Sequence, residues 1–249
     1  MKVFYCALIF IISAKVALAQ NNIVNESTVN LNTFDNPDSL FVTYFYEPFP
    51  QKVGESILQL GGSFILLPTP DVGEYPVPSF DVQFKYGLIK NVSLVSSLST
   101  NYFSNLLQSG LQWNTNSSRL SFGLANHIGG FFGSYHLDLF EDVFAYSFMY
   151  MPIFRLGIRA DEFSASLSLG STYIFNSGSR VGDLKARGPK AVWNDIFCTM
   201  AIEQPMLGRT IISIGLSLEY TRSPYQAWLF FDTIDTYQII PKFSFAIQL

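Results

Sequence analysis

Charge is scarce in this sequence. Only 14% of its 249 residues are Asp, Glu, Lys or Arg, against about 25% in an ordinary soluble domain. Water-facing surfaces are normally built from those residues, so the composition argues against a soluble exterior. A net charge of −4 gives nucleic acid nothing to bind. Histidine is almost missing: His127 and His136 are the only two, and any His-dependent chemistry has to use one of them. Of the two cysteines, Cys6 lies in the N-terminal apolar stretch and Cys198 stands alone, so a chain that loses its N-terminus cannot form an internal disulfide. Past that N-terminus no run approaches 18 consecutive apolar residues, which excludes a membrane-spanning helix.

Aromatic residues are abundant, with 24 Phe and 13 Tyr. After residue 40 they fall with period two. Phe80, Val82, Phe84, Tyr86 and Leu88 alternate with Ser79, Asp81, Gln83, Lys85 and Gly87. Phe163, Ala165, Leu167 and Leu169 alternate with Ser164, Ser166, Ser168 and Gly170, and Ile212, Ile214, Leu216 and Leu218 with Ser213, Gly215, Ser217 and Glu219. Period two marks a strand with two unlike faces. Ten such segments are predicted, at roughly 56–67, 78–88, 92–102, 106–113, 119–131, 143–159, 163–175, 194–204, 210–221 and 237–249. The fourth is short and the eighth ragged, so eight or twelve strands are the alternatives. Most exceed the 9–11 residues or so that a tilted strand needs to cross a bilayer.

The polar face says which side is inward. It consists of Ser, Gly, Thr and Asn with few charges, which suits a narrow lumen, and packing every Phe and Tyr inside one small barrel would overfill it. The expected fold is therefore an all-β, transmembrane, antiparallel up-and-down barrel with its apolar face toward lipid. A soluble barrel with the apolar face inward is the architectural rival. Connectors support the first reading. Short ones at 89–91, 114–118, 160–162 and 205–209 alternate with longer ones at 69–77, 132–142, 176–193 and 222–236, as tight periplasmic turns alternate with extracellular loops.

Residues 1–19 read as a secretory signal: Lys2, an apolar run from Val3 to Ile12, then Ala17-Leu18-Ala19 as a small-x-small cleavage site before Gln20. Residues 20–54 read as a periplasmic N-terminal extension and 55–249 as the barrel. Within the extension, 20–39 is polar, while 40–50 carries Phe41, Tyr44, Phe45, Tyr46 and Phe49. That stretch is a candidate plug, partner-docking segment or extra strand, an ordered lead-in being the plainest reading.

The last segment places Tyr237, Ile239, Phe243, Phe245, Ile247 and Leu249 on one face, ending at the final residue. It resembles the C-terminal assembly signal of small outer-membrane β-barrel proteins of Gram-negative bacteria, with Leu249 where Phe is usual. The resemblance is to the general class and covers about residues 55–249. It implies insertion by the barrel-assembly machinery, with Phe243, Phe245, Ile247 and Leu249 as the recognised residues, and residence in the outer membrane among lipid and lipopolysaccharide. Pro241 interrupts this strand and removes one ladder donor.

Candidate functional residues are few. Asp81, Lys85, Arg155, Arg159, Glu219 and Lys242 are expected to face the lumen as a polar network, or to line a slender pore. Arg180, Lys185, Arg187 and Lys190 in the 176–193 connector, and His136 and Asp138 in the 132–142 connector, are candidate extracellular contacts, the basic ones toward lipopolysaccharide phosphates. His127 is placed in the lumen near the outer rim. No catalytic, cofactor or metal constellation emerges. The expected function is a non-enzymatic structural or interaction platform. A narrow pore or ligand-uptake barrel is the alternative, and a barrel-embedded hydrolase or protease, dependent on His127 or His136, is the third.

Overall fold

The computed structural model describes residues 43–69, 73–117, 119–137, 140–160, 163–187, 192–206, 210–222, 224–225 and 237–249. The proposed signal segment, the first part of the extension, Asp138 and Lys190 lie outside the described residues. Among those described are eleven strands: β1 (Ser56–Thr69), β2 (Gly73–Ile89), β3 (Val92–Thr100), β4 (Ser104–Ser117), β5 (Leu120–Leu137), β6 (Phe140–Arg159), β7 (Ser164–Val181), β8 (Leu184–Arg187), β9 (Val192–Met206), β10 (Thr210–Thr221) and β11 (Gln238–Gln248). Every pairing is antiparallel. Each barrel strand joins its sequence neighbour, and β1 pairs with β11 to close the ring. Ten strands make the barrel; β8 folds back on the upper part of β7 alone.

The two ends differ. Tight turns join β2 to β3 and β4 to β5 at one end, where Asn91 takes the left-handed conformation (φ 66°) that Asn tolerates better than most side chains. At the other end the expected long loops are largely continued hairpin. β1 and β2 stay paired to Thr69 and Gly73, β5 and β6 to Leu137 and Phe140, and the 176–193 connector contains the β7–β8 hairpin. Backbone ladders need no apolar outer face once they leave a bilayer, so pairing outlasts the hydrophobic alternation. Pro241 sits opposite Leu218 with no break in the β10 register, and pairing to β1 stops at Lys242. The β1–β11 ladder thus ends beside Pro241, which has no N–H to extend it.

The outer face is apolar along the strands. Ile128, Met200, Ile202, Ile214, Leu218 and Phe245 are all exposed, and Phe64 stacks on Phe243 across the β1–β11 seam, centroids 5.1 Å apart. Toward the long-hairpin end Trp193, Tyr220 and Tyr237 stack on one another, Tyr237 lying 5.1 Å from each partner, as aromatic side chains do at a bilayer interface. The inner face is mostly small and polar: Ser63, Ser79, Ser93, Ser121, Ser164, Ser166, Ser168, Ser213 and Ser217 are buried in it. An exterior of exposed Ile, Leu, Met and Phe around an interior of serines suits lipid outside, because burial in lipid is the only way that apolar area leaves water.

Candidate functional site

The aromatic N-terminal segment lies inside the barrel. Residues 43–51 carry almost no regular structure, yet Tyr44, Phe45, Glu47 and Gln51 are buried. Irregular backbone in such a place must find polar partners for its amides, and Glu203 of β9 supplies them. Its carboxylate accepts the N–H groups of Phe45 (2.9 Å), Tyr46 (2.9 Å) and Glu47 (3.1 Å). It also accepts from Ser213 Oγ at 3.2 Å. Lys85 Nζ of β2 donates to the carbonyls of Glu47 (3.1 Å) and Phe45 (3.4 Å). Arg159 Nε of β6 donates to Glu47 Oε2 at 3.0 Å, and its guanidinium lies 4.2 Å from the Phe49 ring centroid. Gln83 Nε2 donates to the Tyr46 hydroxyl at 2.9 Å, a phenol that burial holds above its ordinary pKa and so neutral. Phe45 packs with Ile57 and Val95.

These contacts come from the ends of β2, β6 and β9 that adjoin the short turns, so the segment is a plug across the short-turn end. Two glycines make its seat. A Cβ on Gly123 would lie 2.6 Å from Pro48 Cβ, and one on Gly157 would lie 2.8 Å from Pro48 Cδ and 2.9 Å from Glu47 Cγ. Gly157→Val is therefore expected to force the plug outward at a cost of about 1–3 kcal/mol. Chymotrypsin should then cut the folded barrel at Tyr44, Phe45 or Tyr46 about tenfold faster or more, as cleavage follows the open population. Unchanged cleavage would mean that these glycines do not set the plug's position.

Above the plug a chamber of about 740 Å³ runs to the long-hairpin end, from Phe45 and Tyr46 at its floor to Val143, Val181 and Pro224 near its mouth. One wall is apolar: Leu106, Phe131, Met149 and Met151 form a buried cluster, with Ala145, Ile174 and Tyr225 against it. Tyr225, from the β10–β11 connection, donates to Ser99 Oγ at 2.6 Å, and Ser99 in turn donates to Asp81. Lys242 Nζ lies 5.9 Å over the Tyr225 ring, with Glu219 and Asp81 as its charged neighbours.

All six expected lumen residues point inward, in two tiers. Lys85 and Arg159 are used by the plug, while Asp81, Arg155, Glu219 and Lys242 line the chamber. The acidic partners of the lower tier, Glu47 and Glu203, escaped the sequence reading. They stand 156 residues apart, and only the odd carboxylate in an aromatic run could have flagged Glu47. The inner apolar wall did leave a signal, because alternation lapses at 148–154, where both faces of β6 are apolar. His127 lies in the lower half of β5 and lines the chamber, deeper than the rim position expected, since β5 continues to Leu137. His136 is exposed on the β5–β6 hairpin and contacts Asp142. Arg180 is exposed on β7 opposite Lys185 of β8, and Arg187 stands opposite Gly178. Phe243, Phe245, Ile247 and Leu249 are exposed on the outer face of the closing strand and at its end. Among the described residues no cluster of three His, Cys, Asp or Glu could hold a metal ion.

No family model matches this chain, and no curated protein does. Among solved structures it is similar to the translocator domain of the autotransporter NalP from Neisseria meningitidis, with 8% identity and a TM-score of 0.45 over 80% of this chain and 88% of that one. It is similar to an outer membrane channel from Pseudomonas putida F1, with 8% identity and a TM-score of 0.42 over 83% and 100%. It is also similar to Ail, the attachment invasion locus protein of Yersinia pestis, with 8% identity and a TM-score of 0.28 over 80% and 100%. These neighbours are outer-membrane β-barrels, and they point to no specific family.

Proposed function

We propose that this chain is a non-enzymatic outer-membrane barrel that receives a small ligand from the cell exterior and is held shut toward the periplasm by its own N-terminal segment. The observation that carries this reading is the plug: three backbone N–H groups on one buried Glu203 carboxylate, beneath a chamber reaching the opposite mouth. A static filled barrel has no use for a 740 Å³ chamber, which lies within the range of about 300–1,000 Å³ typical of small-molecule sites. The short-turn end is assigned to the periplasm by the usual distribution of turns and loops in such barrels. Assembly through the outward aromatic residues of β11 and export by the signal at 1–19 belong to the same reading.

A planar bilayer holding the purified protein tests it. The unaltered protein is expected to show no steady conductance, whereas an open channel in every insertion would contradict a closed plug. A second reading, the interaction platform, draws on the hairpins that extend past the apolar band: β6 has 20 residues and β7 has 18, and the β7–β8 pair presents Arg180 and Lys185. Such a basic hairpin suits lipopolysaccharide phosphates. Arg180→Glu with Lys185→Glu should then weaken retention on lipopolysaccharide-coated beads without altering conductance, and unchanged retention would remove the basis for this reading.

A further inference from the structure

Among the described residues, one buried cation of the lumen keeps idle hydrogen-bond donors. Three cationic side chains, Lys85, Arg155 and Arg159, stand at or just above the floor, near the carboxylates Glu47, Glu55 and Glu203. Lys85 and Arg159 are used by the plug, and Glu203 is occupied by plug amides and Ser213. Arg155 is 7% exposed and lines the chamber, yet its Nε and Nη1 have no hydrogen-bond partner among the described residues. His127 lines the same chamber, is 2% exposed, lies within electrostatic reach of Arg155 and has neither ring nitrogen partnered among the described residues. A buried guanidinium with idle donors is costly unless something charged completes it. The nearby apolar wall of Leu106, Phe131, Met149 and Met151 is equally without polar purpose.

We propose that Arg155 and His127 form the head-group site of a bound monocarboxylate whose apolar body lies along the Leu106–Phe131–Met149–Met151 wall. This deepens the ligand-uptake reading above and rests on it. A planar guanidinium fork matches a carboxylate in bidentate fashion, and a neutral imidazole adds one further donor. The chamber selects a single charge. Asp81, Asp195 and Glu219 line it too and would repel a dianion such as a phosphate monoester more strongly than a single carboxylate. The volume admits an arylalkyl or medium-chain acid with room to spare. Lys242 is not the anchor, because Glu219 and Asp81 already neighbour it.

Isothermal titration of the full-length mature barrel in phosphatidylcholine nanodiscs, with empty discs subtracted, tests this with 4-phenylbutyrate and its neutral amide, 4-phenylbutanamide. The carboxylate should bind, and the amide should bind about tenfold to a hundredfold more weakly, the range for losing a charge-assisted hydrogen bond. Arg155→Gln, shown to be folded by its unboiled gel mobility, should lose the same preference. Equal binding of acid and amide to the unaltered protein would overturn the head-group site while leaving a ligand chamber. Binding of neither would overturn the carboxylate proposal, and the conductance experiment judges the plugged-barrel reading separately. Should Arg155→Gln not fold, the acid-against-amide comparison decides alone.

Discussion

The double variant Glu47→Ala with Glu203→Ala should conduct in planar bilayers where the unaltered protein is silent. Glu203 takes three amide donors from the plug and a fourth bond from Ser213, and it is fully buried. Removing it leaves those N–H groups without an acceptor and Lys85 buried beside them with one anion fewer. Breaking one side of such a buried charged arrangement costs about 3–5 kcal/mol. Removing Glu47 as well frees Arg159, whose guanidinium then keeps, among the described residues, only the Phe49 and Tyr44 rings. A cost of 3–5 kcal/mol on the plug alone raises the open population by about a hundredfold or more. None of it falls on the strand ladders, so the barrel should still run as a folded species before boiling. Glu203→Gln keeps one carbonyl acceptor and should fall between the two. A folded double variant as silent as the parent would show that the lumen is closed by something other than this segment.

The second large effect concerns the outer face. Ile214, in the middle of β10, is exposed beside Ile202 of β9 and Phe245 of β11, both exposed as well. An arginine there would stand at mid-depth of the bilayer, where basic residues cost about 2–4 kcal/mol, falling to about 0–1 kcal/mol near the interfaces. Ile89, beside the β2–β3 turn and equally exposed, is the matched control. Reversible unfolding in lipid should therefore show Ile214→Arg destabilised by about 2–4 kcal/mol and Ile89→Arg nearly unchanged. In a barrel facing water, both substitutions would be close to neutral. Equal, small effects would thus support the soluble rival and turn attention to its interior as a hydrophobic store.

The barrel was legible because a two-faced strand writes its burial into every second residue. Serines 164, 166 and 168 against Ala165, Leu167 and Leu169 needed no tertiary information to interpret. The hairpin extensions were not legible for the same reason. From Phe132 to Leu137 the backbone of β5 remains paired to β6, but outside a bilayer neither face has to be apolar, so the periodic signal fades before the ladder does. The plug's place was open for a different reason. An aromatic run such as Tyr44-Phe45-Tyr46 announces burial without saying against what, and the answer lay in a single glutamate in the penultimate hairpin. Lys85 and Arg155 look alike in the sequence, as basic residues on the inward faces of their strands. Only the folded lumen separates the one that holds the plug from the one left with idle donors.

A lipid-facing closed barrel in the outer membrane is tested most directly by cell fractionation with gel mobility. Membranes from expressing cells are separated by density, and the outer-membrane fraction is run in SDS with and without boiling. The expected result is a protein found in that fraction, released by detergent, whose unboiled band migrates ahead of the boiled one because the closed ladder resists SDS until heated. A protein recovered in the periplasm or medium without detergent, with one mobility under both conditions, would contradict the lipid-facing exterior and the plugged chamber built upon it.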